Sequence, residues 1–372
     1  MSEDVMPIEG YDYIEFYVGN ALQAAHYYAS VFGFELFAYR GPETGRRDSV
    51  SFAMQQDRLR FVLTGALSLD TEIAHHHVVH GDGVHDVAFR VPDARAAFAT
   101  AIRRGATAHL EPVTEQDDRG EFTTAAIKTY GETIHTFVDR SRYANGDAYG
   151  RYFRPGYEPR TWNVPRAATN LKYIDHVVCN VELGQMDTWA RYYADVMGFT
   201  QLAHFNDEQI GTQYTALMSK VLWDGEGRIK LPINEPAQGK KRSQIQEYLD
   251  FYDGPGVQHM ALATNDIVST VTALVRAGME FLTVPMTYYD DLRTRLDWSI
   301  IDRDIDRLAE LGILVDQDEE GYLLQIFTKP VEDRPTVFFE IIERHGSKGF
   351  GVGNFKALFE SIERDQARRG TL

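Results

Sequence analysis

Short segments of alternating apolar and polar residues occur along the whole chain, and many are followed by a stretch with helical spacing of apolar positions. Alternation with a period of two predicts β-strands that bury one face, as in RLRFVLTG (58–65) and YLLQIFT (322–328). A doubly wound parallel sheet would favour a glycine-rich phosphate loop after a first strand, and this chain carries none there. The pattern therefore predicts an α+β fold, with a curved sheet in each half and helices outside.

Three segments of the first half recur in the same order in the second half, with the same succession of strand and helix. The matched pairs are 10–35 with 173–200, 81–106 with 254–279 and, more weakly, 133–140 with 337–344. Corresponding landmarks in the same order imply two copies of one ancestral domain.

The join between the copies is predicted within residues 145–170, which are rich in Gly, Pro, Arg and aromatic residues and lack a sustained period. The second copy is longer between its second and third matches, and most of the excess is the segment 285–320. We predict that this segment is a helical insertion packed beside the space that the second domain encloses.

Composition narrows the classes of protein. At 372 residues the chain exceeds the usual size of one hydrophobic core, so two domains are expected. The net charge is -17, from 38 Lys+Arg and 55 Asp+Glu, which argues against nucleic-acid or acidic-membrane partners because both need a basic face. The acidic N-terminus lacks an apolar signal-peptide core, so a cytoplasmic location is expected. Cys179 is the only cysteine, which excludes an internal disulfide framework.

When the two copies are aligned, three residues of the second copy that could bind a metal lie opposite three residues of the first copy that do not form a complete set of metal ligands. The pairs are His176 with Tyr13, His259 with Asp86, and Glu340 with Thr136. A structural role shared by both domains would be expected in both copies. The comparison therefore predicts a function for the three residues of the second copy.

Each of these three residues lies within an apolar strand. A carboxylate such as Glu340 in a buried strand needs a cation or a strong hydrogen-bond partner, because burial of an unpaired charge is costly. Two neutral imidazoles and a carboxylate form the facial triad of non-haem iron(II) oxygenases. Zinc or manganese would accept the same ligands, and an isolated strand histidine is more often a hydrogen-bonded core residue. The residues alone therefore leave the metal open.

A second group of histidines lies in the first half, within AHHHVVHGDGVHD. Its members are His75, His76, His77, His80 and His85. The spacing of His76 and His80 would suit a metal if the segment were helical. Because the stretch leads into a glycine turn and no acidic partner is evident, we interpret it as a solvated loop.

Several longer motifs resemble those of the 4-hydroxyphenylpyruvate dioxygenases, and the likeness extends over the whole chain. They are LPINEP (231–236), KKRSQIQEYL (240–249), GVQHMAL (256–262) and YLLQIFTKPVEDRPTVFFEIIERHGSKGFGVGNFKALFESIERDQ (322–366). The resemblance implies two tandem vicinal-oxygen-chelate (glyoxalase/extradiol dioxygenase-like) domains, each an open β-barrel of paired βαβββ modules with outer helices. Residues 1–155 would form a domain without metal ligands, and 156–372 a catalytic domain with a C-terminal lid helix.

The same resemblance implies a reaction. One Fe(II) per subunit, held by His176, His259 and Glu340, would use O₂ as co-substrate to convert 4-hydroxyphenylpyruvate to homogentisate and CO₂, with ring hydroxylation and side-chain migration, in tyrosine catabolism. A homo-oligomer, either a dimer or a tetramer, would also be expected.

The family's other site residues carry over onto matching positions. Asn234, Gln244 and Ser219 would meet the phenol and ring region, and Gln258 and Gln325 would lie nearer the metal and the keto acid. The ring would be walled by Phe327, Phe338, Phe350 and Phe355.

Strand parity bears on some of these positions. Glu340 and Phe338 share a face, and so do Gln325 and Phe327, whereas Gln258 has the opposite parity to His259 and needs a local twist. Cys179 lies on the face opposite His176, which predicts a packing role.

The final helix carries an apolar stripe of Phe355, Leu358, Phe359 and Ile362, preceded by GSKGFGVGN. This stripe is consistent with simple docking onto the barrel and with a lid that moves about a glycine-rich hinge.

Three other functions use the same features. A 4-hydroxymandelate synthase shares the substrate and the metal but oxidises the benzylic carbon. A non-enzymatic protein of this fold would bind an aromatic ligand without a metal triad. An extradiol dioxygenase would want acid–base histidines near the metal, and none is convincingly placed.

Overall fold

The computed structural model describes residues 5–205, 217–237 and 241–371. The first sheet contains β1 (Gly10–Tyr17), β2 (Glu35–Arg40), β3 (Ser49–Gln56), β4 (Leu59–Ala66), β5 (Gly83–Arg90), β6 (Ala108–Asp117), β7 (Gly120–Lys128), β8 (Ile134–Asp139) and β9 (Glu158–Pro159). The second sheet contains β10 (Tyr173–Asn180), β11 (Thr200–Phe205), β12 (Leu217–Trp223), β13 (Lys230–Pro236), β14 (Gly256–Ala263), β15 (Leu314–Gln317), β16 (Tyr322–Phe327) and β17 (Phe338–His345).

Helices connect the strands of both sheets. They are α1 (Ala21–Ser30), α2 (Glu72–His80), α3 (Ala94–Arg103), α4 (Met186–Tyr192), α5 (Gln244–Tyr252), α6 (Ile267–Arg276), α7 (Met286–Arg295), α8 (Ile305–Leu311) and α9 (Phe355–Arg369). None of the helices within the described ranges is long and apolar enough to cross a membrane.

The strand order confirms the internal repeat. The first sheet runs β6-β7-β8-β5-β1-β4-β3-β2-β9, and the second, taken from its other edge, runs β15-β16-β17-β14-β10-β13-β12-β11. Each sheet therefore contains two βαβββ modules whose first strands pair antiparallel at its centre, β1 with β5 and β10 with β14. This is the predicted α+β architecture of two tandem, curved, open sheets with helices outside.

The register also confirms the predicted equivalences. Across β10 and β14, Val178 faces His259, as Glu15 faces Asp86 across β1 and β5. His176 faces Ala261 as Tyr13 faces Ala88.

The insertion predicted at 285–320 contains α7 and α8 and ends in β15. Tyr288 of α7 anchors it, because its hydroxyl donates to the Val315 carbonyl at 2.9 Å and accepts from the Val315 N–H at 2.8 Å. The helical prediction is therefore confirmed, with the addition that the segment also supplies the strand equivalent to β6.

One prediction about the fold was wrong. The histidine-rich segment is helix α2 and not a solvated loop, and both His76 and His80 are buried. Thr71 caps its first turn by accepting from the Ala74 N–H at 3.1 Å, and Gly81 ends it with a φ of 77°. The glycine that had been interpreted as part of a loop is the helix stop.

The two sheets share one apolar core. Phe339 of β17 packs against Phe32 at 4.8 Å between ring centroids, and against Tyr28 and Phe61 at 6.0 Å each. Cys179 is buried in this core, as its predicted packing role requires. The aromatic cluster joins the second sheet to the first domain behind the face that carries His176, His259 and Glu340.

Candidate metal centre and substrate cavity

The three predicted ligands converge at the centre of the second sheet, on adjacent strands β10, β14 and β17. The Nε2 atom of His176 lies 3.1 Å from Oε2 of Glu340, and Nε2 of His259 lies 3.7 Å from the same oxygen. All three ligand atoms fall within 4.8 Å of one another, and all three residues are buried. The arrangement brings two imidazole nitrogens and a carboxylate oxygen to one point.

A β-bulge precedes each of the two histidines. The register shifts between Ile174 and His176 on β10, and at Gln258 on β14, where Val178 pairs with His259 and Cys179 pairs with Val257. A bulge redirects side chains from simple alternation. It supplies the local twist that Gln258 was expected to need.

The bulged residues hold the histidines in one tautomer. His176 donates from Nδ1 to Oδ1 of Asp175 at 2.8 Å, and His259 donates from Nδ1 to Oε1 of Gln258 at 3.0 Å. Each Nε2 atom then faces Glu340 and is the ring nitrogen available to a metal. Such outer partners fix ring orientation and raise ligand basicity in metal sites.

Asp175 is itself fixed by cations. Arg344 donates to both of its carboxylate oxygens at 2.8 and 2.9 Å, and Lys230 donates at 3.3 Å. Arg344 also donates to the Gly349 carbonyl at 2.7 Å, which ties this network to the segment that carries Phe350. Burial opposes the charge of Asp175, but the hydrogen bond from His176 and the charge and hydrogen bonds of Arg344 hold the pKa of its carboxyl well below its usual range.

The same Asp–Arg pair occurs in the first domain. Arg140 donates to Asp12 through Nε at 2.7 Å, and this pair occupies the positions equivalent to Arg344 and Asp175. The pair is therefore a feature of the repeated fold. Only in the second domain does the aspartate also orient a histidine.

The electrostatics favour an ionised carboxylate at the centre. Burial opposes the charge of Glu340, but the two imidazoles hold the pKa of its carboxyl at about 2. Burial lowers the pKa of His259, whereas Glu340 and Asp175 overcome burial and raise the pKa of His176. A buried carboxylate with two converging nitrogen lone pairs fits a divalent cation and leaves coordination positions for other ligands.

The first domain has closed the equivalent position with hydrogen bonds. Tyr13 donates to Oδ2 of Asp86 at 3.0 Å, and the Thr136 N–H donates to its Oδ1 at 3.1 Å. Burial raises the pKa of Asp86 to about 7. Protein hydrogen-bond donors therefore occupy both oxygens of the Asp86 carboxyl, as expected for a copy of the domain that lacks the set of metal-ligating residues.

A cavity of about 580 Å³ lies over the three ligands. Its lining consists of His176, Val178, Phe205, Leu217, Ser219, Val221, Pro232, Asn234, Gln244, Gln258, His259, Phe327, Phe338, Glu340, Phe350, Phe355, Leu358, Phe359 and Ile362.

The aromatic lining is packed directly on the histidines. Phe338 stacks on His259 with ring centroids 4.7 Å apart, and Phe350 meets His176 edge-on at 5.1 Å. Phe327 meets His259 edge-on at 6.0 Å. These rings line the cavity beside the donor atoms with apolar surface.

A few polar side chains interrupt the apolar wall. Ser219 and Asn234 face each other across β12 and β13, and Asn234 donates to Oδ1 of Asn180 at 3.4 Å. Gln244 enters from the first turn of α5, and Gln258 from the bulge of β14. Amides and a hydroxyl in an apolar cavity can orient a ligand through hydrogen bonds.

Gln325 is the one predicted site residue that does not line this cavity. It is buried on β16, and its Oε1 atom has no hydrogen-bond partner in the described residues. It packs against the backbone of Gly351, just after Phe350. Its direct role at the keto acid remains a prediction.

Sequence reasoning missed several lining residues, including Val178, Phe205, Leu217, Val221 and Pro232. Strand parity with His176 could have identified Val178. The others come from β11, β12 and β13, and only the closure of the sheet brings those strands over the ligands. The Asp175–Arg344 pair was also missed, although a charged residue directly before His176 in an apolar strand was a signal for it.

Two family models match the chain. One, described as "Hydroxyphenylpyruvate dioxygenase, HPPD, N-terminal", matches residues 2–152. The other, "Glyoxalase/Bleomycin resistance protein/Dioxygenase superfamily", matches residues 173–326. The two matches fall on the two sheets.

Curated relatives match over nearly the full length. The 4-hydroxyphenylpyruvate dioxygenase of Caenorhabditis briggsae is 47% identical over 374 residues, covering 99% of this chain and 95% of the relative. That of Danio rerio is 47% identical, covering 97% and 92%. That of Coccidioides posadasii is 44% identical, covering 99% and 96%.

Solved structures share the architecture. A triple mutant of 4-hydroxymandelate synthase from Streptomyces coelicolor has a TM-score of 0.84 at 32% identity, covering 97% of this chain and 100% of that chain. A Mn(II)-bound glyoxalase from Novosphingobium aromaticivorans has a TM-score of 0.51 at 12% identity, covering 91% and 83%. The second likeness shows the fold alone.

Proposed function

The chain belongs to the 4-hydroxyphenylpyruvate dioxygenase family, and from this premise we propose that Fe(II) held by His176, His259 and Glu340 enables it to convert 4-hydroxyphenylpyruvate and O₂ to homogentisate and CO₂. The observation that carries the proposal is the convergence of two imidazoles and one carboxylate on a single point beneath an apolar cavity. A bound Fe(II) supplies open coordination positions and redox chemistry for an α-keto carboxylate and O₂.

The protein's own contribution is orientation. Asp175 and Gln258 hold the Nδ1 protons of the two histidines, so that both Nε2 lone pairs point inward. The triad contributes only one negative charge. With a divalent cation bound, the site keeps a net positive charge, which attracts an anionic keto acid. This local attraction is needed because the net charge of the chain, -17, repels anions at long range.

The cavity wall orients the aromatic ring and excludes water. Phe338 and Phe350 flank the two histidines, and we assign them to the two faces of the substrate ring. Ser219, Asn234 and Gln244 provide hydrogen-bond partners for the phenol. Exclusion of water by the phenylalanines strengthens electrostatic interactions and protects reactive species from hydrolysis.

We further propose that 156–372 is the catalytic domain and 1–155 the metal-free one, since every residue that lines the cavity lies between 176 and 362.

Helix α9 is proposed as the lid. It lines the cavity with Phe355, Leu358, Phe359 and Ile362, and Arg369 near its end donates to Glu247 of α5 at 2.8 Å. Hydrogen exchange in α9 should slow when substrate binds to the Fe(II) enzyme, and unchanged exchange would contradict the lid.

A cytoplasmic homo-oligomer, either a dimer or a tetramer, is proposed on the family resemblance. Light scattering coupled to size exclusion measures the mass directly, and a monomer at working concentration would contradict the assembly. Cell fractionation with an antibody against the chain tests the location.

The central experiment is anaerobic reconstitution of the metal-free protein with Fe(II), followed by addition of oxygen and 4-hydroxyphenylpyruvate. Mass spectrometry and NMR of the product should identify homogentisate. The product 4-hydroxymandelate would overturn the assignment in favour of the benzylic reaction, and binding without oxygen consumption would favour a non-enzymatic ligand-binding protein.

His259→Ala tests the ligand assignment in the same assay. We expect loss of iron retention and of turnover, because one of three converging donors is removed. Replacement of the exposed His204 by alanine is the matched control and should leave both intact. Turnover retained in His259→Ala would refute the triad.

A further inference from the structure

A second group of metal-ligating side chains lies on helix α2, outside the substrate cavity. His76 and His80 are one helical turn apart on its buried face, and their rings lie 4.7 Å apart. Glu132, from the turn between β7 and β8, reaches both. Its Oε2 atom lies 3.2 Å from Nε2 of His80 and 3.5 Å from Nδ1 of His76.

Three of the four ring nitrogens of His76 and His80 lack hydrogen bonds within the described residues. Neither ring nitrogen of His76 has a hydrogen-bond partner among the described residues, although its side chain is only 1% exposed. The same holds for Nε2 of His80. Leaving a buried polar atom without a hydrogen bond is unfavourable, so a missing partner between the two rings and Glu132 is indicated.

An ordinary hydrogen-bonded pair does not account for the arrangement. Oε2 of Glu132 lies 3.5 Å from Nδ1 of His76, and neither ring nitrogen of His76 makes a hydrogen bond within the described residues. A neutral imidazole keeps a lone pair on one ring nitrogen, which is the form that binds a metal.

The second histidine is already oriented for ligation. Nδ1 of His80 donates to the carbonyl of Tyr252 at the end of α5, and the His80 ring stacks on the Tyr252 ring at 4.4 Å. This hydrogen bond fixes the tautomer and leaves the Nε2 lone pair facing Glu132.

The spacing fits tetrahedral coordination. Bonds of about 2.0–2.1 Å to zinc place neighbouring ligand atoms of a tetrahedron about 3.3 Å apart. The two contacts to Glu132 bracket that value, and the three ligand atoms lie within 4.8 Å of one another. Glu132 is 41% exposed, which leaves a route for the ion and a position for water.

We propose that His76, His80 and Glu132 form a second metal site, which takes a first-row divalent transition metal such as Zn(II). The site lies at the junction of the two domains, because His80 is bonded to α5, the helix that begins with Gln244 of the substrate cavity. The bound ion holds α2 and the β7–β8 turn together against α5. The proposal is independent of the iron triad.

The test is metal stoichiometry on the full-length protein. Metal-free wild type is titrated with Zn(II) by calorimetry, and with Co(II) by visible absorption, which distinguishes four-coordinate from six-coordinate ions. The variants are Glu132→Gln, Glu340→Gln and the double variant. Glu132 lies on an exposed turn, so its replacement by an isosteric amide leaves the fold intact. His77→Gln, which removes an exposed histidine of the same helix beside Asp82, is the control.

We expect Glu132→Gln and Glu340→Gln each to lose one equivalent of metal and the double variant to lose two. His77→Gln should keep the wild-type stoichiometry, and the Co(II) lost in Glu132→Gln should have the four-coordinate spectrum. The proposal is overturned if Glu132→Gln keeps the wild-type stoichiometry, or if the double variant loses no more metal than Glu340→Gln alone.

Discussion

Asp175 is the residue that orients His176, the first of the proposed metal ligands. It accepts from His176 and from Arg344, whereas the equivalent Asp12 of the first domain pairs with Arg140 and orients no metal ligand. The chain therefore contains its own control for separating the structural role of the pair from its effect on the metal.

We expect Asp175→Asn to weaken metal binding by about 10–100-fold, the usual effect of removing such an outer partner. Asp12→Asn should leave the metal affinity unchanged. Asp12→Asn should lose about 3 kcal/mol of unfolding free energy, because it leaves the buried Arg140 without its counter-charge, and Asp175→Asn should lose less, because Arg344 is partly exposed. Calorimetric metal titration and urea unfolding measure the two effects, and equal metal affinities in the two variants would show that Asp175 only supports the fold.

At the residue scale, the sequence predicted three residues that the structure brings together, but not how their side chains are held. The triad was found because the second copy keeps ligand-capable residues where the first does not. The access of Gln258 could not be derived from alternation, because a bulge depends on the register of the facing strand β10. The Asp175–Arg344 pair joins residues far apart in the chain, so the charge of Asp175 in an apolar strand indicates that a partner exists but not which residue it is.

At the scale of elements, the segment before α9 combines a left-handed glycine with close packing. Gly351 has a φ of 72°, and Gly184, in the loop before α4, has a φ of 81°. A β-carbon on Gly351 would lie 2.6 Å from Oε1 of the buried Gln325, whereas one on Gly184 would meet nothing within 4 Å. The two glycines share backbone strain but differ in contact.

Gly184→Ala should lower the unfolding free energy by about 1–2 kcal/mol through strain alone. Gly351→Ala should lower it further and raise KM, because the clash displaces Gln325 or the segment that carries Phe350. Urea unfolding and steady-state kinetics are the measurements. The same loss of stability in both variants, with KM unchanged, would show that the packing of Gly351 on Gln325 does not influence the cavity.

Helix α2 shows that local sequence patterns do not always predict a secondary-structure element or its buried face. Its N-cap Thr71 and its stop at Gly81 were present in the sequence, but a short polar run of histidines has no apolar period to mark a buried face. Burial of His76 and His80 follows from the approach of Tyr252, which lies on the other domain. Tertiary contact therefore decided both the helix and its buried face.

At the scale of the whole molecule, a buried histidine joins the two domains. His135 of β8 donates from Nδ1 to the Val87 carbonyl at 2.9 Å, and its Nε2 accepts from the hydroxyl of Tyr193 in the second domain at 2.7 Å. Burial outweighs the hydrogen bond to Val87 and lowers the pKa of the imidazole to about 4. The contact is therefore made by the neutral ring.

This shift makes stability depend on pH with a defined sign. In the unfolded chain the pKa of a histidine is about 6.5. Between about pH 6.5 and pH 4 the unfolded chain therefore binds a proton that the folded chain does not. The stabilisation is fully present above about pH 6.5 and is lost as the pH falls towards 4, by about 3 kcal/mol over the whole window.

Urea unfolding at about pH 7.5 and about pH 5 measures this effect. His135→Gln should show a smaller loss of stability on acidification than wild type. Some loss should persist, because burial also lowers the pKa values of His76 and His85. His204→Gln, at an exposed position, is the control. An identical pH dependence in wild type and His135→Gln would contradict the assignment.

The sequence by itself determined the alternation of strands and helices, except for α2, the duplication of the domain and the choice of His176, His259 and Glu340 as the candidate ligands. Periodicity and the comparison of two copies are properties of residue order, so they can be read without a structure. Tertiary structure alone decided the bulges that orient the histidines, the closure of β11, β12 and β13 over the cavity, and the burial of α2 against α5. Each of these depends on which distant segments come into contact, and a one-dimensional pattern does not contain that information.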